Sequence, residues 1–472
     1  MEGRFATATA NMAPPVTVWT VGADVRLRIS LQSISEGETP EIERVINVVE
    51  IARLPIATVR RYAYLNVVAS FLVWGFALAG ISMMMPVMYD SIAKDTGWTL
   101  GQTTSFMVIK SLVSALTGLL VGSMFIRFGL KRVYIVSLAA IGLSTSLLFF
   151  AKSLPIYYAA AALSGFFSIN CNIAFQVTLA RWFSARLGSI TGTALLGGAV
   201  AGAIVPLTTT YMVQQYGWHV TSGVAGLIVL LVLTTLVALL AHESPEAYGY
   251  TSDEIDPPKG GAQPAATPAV AGPSPGEEFR NMLRSPRFYV LLAAVFASGA
   301  FSNGINEHTA LFLSHHADLG KYMAALGFTM VMVISAFGKI AFGWIFDRIS
   351  TRGVALCWLL CAVAVALAFP VAGPVTFITF TLFRGLAQGG VVVQQPILAR
   401  HMFGVKPVAQ TIAFLMAAFH LGAAAGIGLI GLGYDMTGSY TVPFIGVIIT
   451  ALVASGIALT FKPKYWAGYK GA

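Results

Sequence analysis

Charged residues are scarce in this sequence, since only 10% of its 472 residues are Asp, Glu, Lys or Arg. A soluble domain carries about 25% charged residues, because it needs them to cover its surface. Hydrophobic residues make up 56% of the chain, and its mean hydropathy is +0.76. This balance excludes a cytosolic enzyme, a nucleic-acid-binding protein and a disordered protein, and it predicts an integral membrane protein.

The sequence also lacks a cysteine framework, a phosphate-binding motif and a secretory signal. Its three cysteines, Cys171, Cys357 and Cys361, all lie in apolar runs, so they predict neither disulfides nor a metal site. No phosphate-binding Gly-x₄-Gly-Lys-Ser/Thr motif occurs, which argues against ATP-driven transport, and we expect no cofactor. Residues 1–62 lack the apolar core of a secretory signal. We expect them to be a poorly ordered cytoplasmic extension, unless translation starts further downstream.

Long apolar runs dominate the remaining chain, and each is about the 20 residues that a helix needs to cross a bilayer. The twelve predicted spans are 63–89, 101–125, 133–152, 155–180, 188–212, 219–241, 287–313, 322–346, 353–371, 374–399, 408–433 and 442–461. A Pro-rich stretch, 242–286, divides them and predicts a flexible cytoplasmic linker. The sequence therefore predicts an all-α membrane protein with two six-helix bundles, 63–241 and 287–461, and a short tail, 462–472.

The distribution of Lys and Arg predicts the orientation. Of those that flank the predicted spans, 19 lie on one face, and three lie on the other, namely Lys94, Lys152 and Lys321. Since cytoplasmic loops carry the excess of basic residues, both termini are expected in the cytoplasm, with the protein in the inner or plasma membrane.

Similar residues recur in the two halves. Gly122 and Gly343 open similar loops 221 residues apart, Leu-Ala-Arg occurs at 179–181 and again at 398–400, and a Gly-x₃-Gly at 198–202 recurs at 422–426. These offsets indicate an internal duplication. Two related halves around a central site are typical of transporters that work by alternating access.

The repeated loops carry a resemblance to a known family. The pattern Gly-x₄-Arg-x-Gly-x-Lys-Arg after the second run, repeated as Gly-x₃-Asp-Arg after the eighth, resembles the signature of the major facilitator superfamily. The Arg-Trp-Phe-x-x-Arg at 181–186, Asp318-x-Gly320 and Tyr434-Asp435 resemble its monocarboxylate transporter and oxalate/formate antiporter branch. The resemblance implies conformational gating by Gly122, Arg127, Gly129, Arg132, Gly343, Asp347, Arg348 and Arg352. Ile126 and Ser350 depart from it, because the family usually has Asp and Gly there.

Three cations lie inside apolar runs, where a charge costs at least about 2.5–3.5 kcal/mol. Lys339 stands where the related branch carries an Arg that binds carboxylate, and Arg384, with Gln388 one turn later, lies near the middle of the tenth run. Lys110 lies in the second run, and its counterpart in the eighth is Val331. We predict that these residues bind substrate. The alternatives are a lysine that extends to the interface and a structural arginine paired with helix-terminal carbonyls.

Other polar residues in the runs complete the predicted site. Glu307 and His308 could carry a coupling proton, and Asn303 lies one turn before Glu307. His420 is a candidate second substrate contact, because oxalate/formate relatives carry a cation on this helix. An interfacial polar cluster and a histidine bonded to a backbone carbonyl are the respective alternatives.

Together these features predict a secondary transporter of a small organic anion, a mono- or aromatic carboxylate, with proton symport. Carboxylate exchange, proton-coupled efflux of drugs or metabolites, and a sensor with a transporter-like body are the alternatives. The expected partners are the organic anion, protons and the lipid bilayer, with no nucleic acid and no enzymatic activity.

Overall fold

The computed structural model describes most of the chain after residue 53. The described residues are 18–20, 26–28, 50–51, 54–118, 120–183, 186–257, 280–315, 319–403 and 408–464. Three short antiparallel strands, Val18–Thr20, Arg26–Arg28 and Glu50–Ile51, occur in the predicted N-terminal extension. The rest of that extension up to residue 53, Asp318, residues 258–279 of the predicted linker and residues 465–472 of the tail lie outside the described residues.

Helices account for nearly all the remaining structure. In the first half, α1 is Ile56–Thr96, α2 is Leu100–Gly118 with a bent continuation Val121–Phe128, α3 is Leu130–Phe150, and α4 is Leu154–Trp182. Helices α5 and α6 are 187–216 and 218–240. In the second half, α7 is Pro286–His315, α8 is Gly320–Ile349, α9 is Thr351–Ala366, α10 is Pro374–Phe403, α11 is Val408–Thr437 and α12 is Thr441–Leu459.

Length and hydropathy support nine membrane spans in the described part of the chain, or ten if the bent α2 is one span. Two other features of the helices explain why this number of spans is smaller than the predicted twelve. Gly217 has φ 79° and ψ 164°, which breaks the helical path between α5 and α6 although hydrogen bonding continues around it. Helix α9 has only 16 residues and is shorter than an ordinary span. Each predicted apolar run thus coincides with a helix or with one arm of a bent helix.

Close helix packing repeats between the halves. A Cβ atom on Gly197 of α5 would collide with the carbonyl oxygen of Phe71 on α1, and one on Gly422 of α11 would collide with that of Phe296 on α7. Both glycines and both phenylalanines are 225 residues apart. Only a residue without a side chain allows the backbones to approach this closely. The predicted duplication therefore appears in the tertiary packing as well.

Polar contacts join the two halves at one end of the bundle, which we call the sealed end. Asp90 at the end of α1 accepts a hydrogen bond from His315 of α7 at 3.0 Å and pairs with Lys321 of α8 at 3.3 Å. Asp435 of α11 accepts from the Thr99 hydroxyl at 2.7 Å. The opposite end, which carries the repeated signature loops at 121–132 and 343–352, is called the loop end.

The first part of the predicted linker packs against the first half at the loop end. Asp256 is fully buried, and its carboxylate accepts a hydrogen bond from Nε of Arg186 at 2.6 Å. This bond raises the pKa of the Arg186 guanidinium above its ordinary value. The Tyr250 hydroxyl donates to the Leu54 carbonyl at 2.7 Å. Residues 242–257 are therefore anchored to the first half, by Arg186 just before α5 and by the backbone just before α1.

Candidate functional site

A cavity of about 270 Å³ lies between the two halves. Helices α1, α2, α4 and α5 form its wall on one side, and α7, α8, α10 and α11 form the other. Five of the six side chains that the sequence predicted for substrate binding line it: Lys110, Lys339, Asn303, Gln388 and His420. The fold thus gathers, in one central space, residues that are up to 310 positions apart in the chain.

The cavity wall is positively charged. Lys110 and Lys339 are its two lysines, and no Asp or Glu belongs to the described residues that line it. Lys110 is only 8% exposed, and its ammonium donates a hydrogen bond to the Ser82 hydroxyl at 2.8 Å. Neither lysine forms an ion pair with another described residue. Two lysine ammonium groups in a cavity whose described lining holds no acidic side chain create a site that favours a negatively charged ligand.

The two halves are not equivalent at Lys110. A Cβ on Gly165 of α4 would collide with the carbonyl oxygen of Lys110, and a Cβ on Gly385 of α10 would lie 2.9 Å from that of Val331. The lysine and the valine therefore occupy corresponding places on α2 and α8. The same pairing of Lys110 with Val331 follows from the offset between the signature loops. Since the second half has an apolar residue at this place, the repeated fold does not need a charge there.

Arg384 lies behind the cavity wall rather than on it. Its side chain is 2% exposed, and its guanidinium donates a hydrogen bond to the Ser302 carbonyl at 2.9 Å. The Ser302 hydroxyl in turn donates to Oε1 of Gln388 at 2.9 Å, and Gln388 lines the cavity. Nε of Arg384 has no hydrogen-bond partner among the described residues. Arg384 is thus one layer away from the cavity and is connected to it through Ser302.

Glu307 is buried beside the cavity, on the side towards the sealed end. It is 2% exposed, and its Oε2 accepts a hydrogen bond from the Tyr89 hydroxyl at 3.0 Å. Tyr89 lies on α1 and Glu307 on α7, so this bond joins the two halves. Lys110 and Glu307 interact electrostatically, although no direct ion pair joins these two described residues.

His308 ties the helices of the second half together. It is fully buried, with Nε2 at 3.2 Å from the Ile427 carbonyl of α11 and Nδ1 at 3.3 Å from the Tyr440 hydroxyl near α12. A neutral ring satisfies both contacts, because Nε2–H donates to the carbonyl while Nδ1 accepts from the hydroxyl. This arrangement needs no additional proton.

Both repeated signature loops lie at the loop end, because α2 and α8 each run from the sealed end towards it. Gly129 has φ 82°, a conformation that glycine adopts without strain. Ser350 has φ 52° and ψ −124°, and it is the one residue other than glycine with positive φ in the described chain. The guanidinium of Arg348 stacks on the ring of Trp344 at 3.6 Å. The backbone at Ser350 explains why a glycine is expected at this position.

Sequence reasoning missed several residues of this region. Tyr89 gave no signal because a tyrosine near the end of an apolar run is ordinary. Ser82, Ser114 and Ser335 also line the cavity, and single serines among apolar residues are common in membrane helices. Among the residues that were missed, Asp90 is acidic and lies at the end of the first run, so its position carried a recognisable signal.

Comparison with known proteins identifies the family. The family model of the Major Facilitator Superfamily matches residues 70–354, which is more than half of the chain. The chain belongs to this superfamily. It is 26% identical over 324 residues to monocarboxylate transporter 13 of Bos taurus, an alignment that covers 66% of this chain and 68% of that protein. It is 23% identical over 322 residues to the uncharacterized MFS-type transporter YhjX of Escherichia coli (strain K12), covering 66% and 74% of the two chains.

Solved structures agree with this assignment at the level of the fold. A bacterial homolog of the human lysosomal transporter Spinster, described as inward-facing and unoccupied, matches with a TM-score of 0.67 and 16% identity over 86% of this chain and 99% of that one. The nucleoside transporter NupG matches with a TM-score of 0.64 and 12% identity over 84% and 99%. The major facilitator chain is therefore a multi-pass membrane transporter, and it is not an enzyme.

Proposed function

We propose that this transporter moves a small organic anion, a mono- or aromatic carboxylate, across the inner or plasma membrane by alternating access. The observation that carries the proposal is the pair of lysines in a central cavity whose described lining contains no acidic side chain. A carboxylate there would pair with lysine ammonium groups that form no direct ion pair with another described residue. The name of the bovine relative, a monocarboxylate transporter, supports the same class of substrate.

The size of the cavity also supports a small substrate. Drug-sized ligands occupy pockets of about 300–1,000 Å³, and this cavity holds about 270 Å³. That volume favours a carboxylate of a few carbons or a single aromatic ring, and it counts against the efflux of large drugs. The apolar side chains of Leu78, Met83 and Met332 line the same space and would contact the organic part.

The predicted binding residues would have different roles in holding the substrate. Lys339 and Lys110 would neutralise the carboxylate, with His420 as a further contact, while Gln388 and Asn303 would orient it through hydrogen bonds. Arg384 would act through Ser302 and Gln388, because its guanidinium does not reach the cavity wall.

Proton symport is the proposed coupling, because a co-transported proton offsets the negative charge of the substrate. Glu307 is the better placed of the two predicted proton carriers. It is buried, interacts with Lys110, and bonds to a residue of the other half. His308 would support it by holding α7 against α11, since both of its ring nitrogens already have partners.

The proposed orientation places both termini and the loop end in the cytoplasm, in accord with the excess of Lys and Arg there. The signature loops, with Gly122, Arg127, Gly129 and Arg132 in one half and Gly343, Asp347, Arg348 and Arg352 in the other, would then gate the cytoplasmic side. The sealed end would face the outside.

Uptake into proteoliposomes tests the proposal. We expect the purified transporter to take up radiolabelled lactate or benzoate when the outside is more acidic than the inside. Lys339→Ala and Lys110→Ala should each reduce this uptake at least tenfold. Lys152→Ala is the matched control, because it removes an exposed lysine outside the cavity lining. Unchanged uptake in both cavity variants would exclude an anion site at these lysines.

A further inference from the structure

Among the described residues, one side-chain hydrogen bond joins the two halves inside the apolar interior near the cavity. The Tyr89 hydroxyl of α1 donates to Oε2 of Glu307 of α7 at 3.0 Å, and the two residues are 0% and 2% exposed. When the halves separate at the sealed end to admit substrate, α1 and α7 must move apart, and this bond must break. The state of the Glu307 carboxyl is therefore linked to whether the sealed end is open or closed.

The groups that face Glu307 come from several helices. Tyr89 of α1 donates a hydrogen bond to its carboxylate. Lys110 of α2, Tyr157 of α4 and the neighbouring Asn306 contribute to the electrostatic environment of this carboxyl group. The Tyr157 hydroxyl is engaged elsewhere, because it donates to the Thr103 carbonyl at 2.8 Å within the first half. Lys110 is thus the cation that balances a negative charge on Glu307 among the described residues facing it.

Lys110 lies between the cavity and Glu307. Its ammonium bonds to Ser82 and lines the cavity, so a carboxylate in the cavity can reach it. Asn306, the residue before Glu307, lines the same cavity, so Glu307 lies beside this space and within the electrostatic influence of Lys110. A substrate carboxylate that binds Lys110 brings a second negative charge to this cation. Two carboxylates that share one buried cation repel each other, and adding a proton to one of them removes the repulsion.

We infer that Tyr89, Lys110 and Glu307 form the element that couples protons to substrate: a carboxylate bound at Lys110 causes Glu307 to take up one proton, and Tyr89 positions Glu307 in the sealed state. This inference rests on the proposed function and deepens it. The proton comes from water and adds to a carboxylate oxygen of Glu307, and it leaves when the substrate dissociates. No bond between heavy atoms forms or breaks. Tyr89 is a positioning residue, since it acts on the substrate only through Glu307.

The first test separates coupling from transport. In proteoliposomes, wild type should accumulate labelled lactate or benzoate when an inward proton gradient is imposed. Glu307→Gln, which stays neutral, should still exchange internal for external label at equal concentrations, but its accumulation ratio should fall to about one. Asp95→Asn is the control, because Asp95 bonds to Trp218 within the first half and does not line the cavity.

The second test measures protons directly. In weakly buffered detergent solution, binding of benzoate by wild type should take up about one proton per bound benzoate, and Glu307→Gln should take up none. Tyr89→Phe keeps the ring and removes only the hydroxyl that bonds to the carboxylate. Since a donor stabilises the charged carboxylate, its loss should move the midpoint of pH-dependent uptake to higher pH. Tyr157→Phe, whose hydroxyl bonds to Thr103, should leave this midpoint in place.

The outcomes distinguish the two proposals. If wild type neither binds nor transports carboxylates, the proposed function fails and the coupling fails with it. If wild type transports them but Glu307→Gln accumulates label as well as wild type, only the coupling is refuted. If Glu307→Gln does not fold, as judged by gel filtration, the comparison of Tyr89→Phe with Tyr157→Phe decides, and equal midpoints refute the inference.

Discussion

Replacing Asp90 by Asn should weaken the sealed end. The Asp90 carboxylate accepts from His315 at 3.0 Å and pairs with Lys321 at 3.3 Å, and both partners belong to the other half. A hydrogen bond to a charged group contributes about 1.5–3 kcal/mol when well shielded. The side chains of His315 and Lys321 are 31% and 40% exposed, so solvent reduces each contribution to about 0.5–1 kcal/mol.

Together the two contacts amount to about 1–2 kcal/mol of free energy that favours closure, which corresponds to a factor of about 5–30 in the ratio of closed to open molecules. The change can be observed with spin labels placed at Lys152 and Val375, which are exposed, lie near the sealed end, and belong to different halves. We expect Asp90→Asn to shift part of the measured distance distribution to longer values.

Lys94→Gln is the matched control for this experiment. Lys94 also pairs with Asp90, at 3.1 Å, but it lies on the same helix four residues later, so its contact does not join the halves. The distance distribution should therefore stay as in wild type. An unchanged distribution in Asp90→Asn, or an equal shift in both variants, would show that Asp90 does not hold the two halves together.

Three further changes have definite expected outcomes. Ser350→Gly should raise the melting temperature, because relief of the strained backbone contributes about 1–3 kcal/mol, whereas loss of the side-chain hydrogen bond to His401 costs about 0.5–1.5 kcal/mol. Ser350→Ala loses the same hydrogen bond but keeps the backbone strain, so it should lower the melting temperature. Gly422→Ala should destabilise the second half by about 1–3 kcal/mol through its collision with the Phe296 carbonyl, while Gly446→Ala, which meets no atom within 4 Å, should not. Asp256→Asn should make limited proteolysis of the linker faster than in wild type, because the anchoring bond from Arg186 is weakened, and an unchanged rate would show that the linker is held without that bond.

Much of the architecture could be predicted because the bilayer imposes a simple rule on each helix. Every spanning segment must be long and apolar, so each of the twelve predicted runs coincides with a helix or an arm of one. Helices α5 and α6 count as a single span by length and hydropathy, because those criteria do not register the change of direction at Gly217. Helix α9, with 16 residues, is too short to meet them.

The candidate site was only partly predictable. Lys110 and Lys339 stood out because a charge in an apolar run is costly and therefore conspicuous, and both line the cavity. Arg384 stood out for the same reason but faces Ser302 behind the wall. Its depth along α10 follows from its position in the run. The direction of its side chain depends on how α10 packs against α7 and α8.

The amino-acid sequence by itself determined that this protein is a helical membrane transporter of two related halves with unbalanced positive charge in its interior. These properties follow from composition, run length and short motifs, which are local along the chain. Only the tertiary structure decided that Tyr89 meets Glu307 across 218 residues, that Asp90 closes one end of the bundle, and that Arg384 is withdrawn from the cavity. Such contacts depend on the rotation and tilt of packed helices, and because the surrounding hydrocarbon is apolar on every side, the hydrophobic pattern of a single span does not specify them.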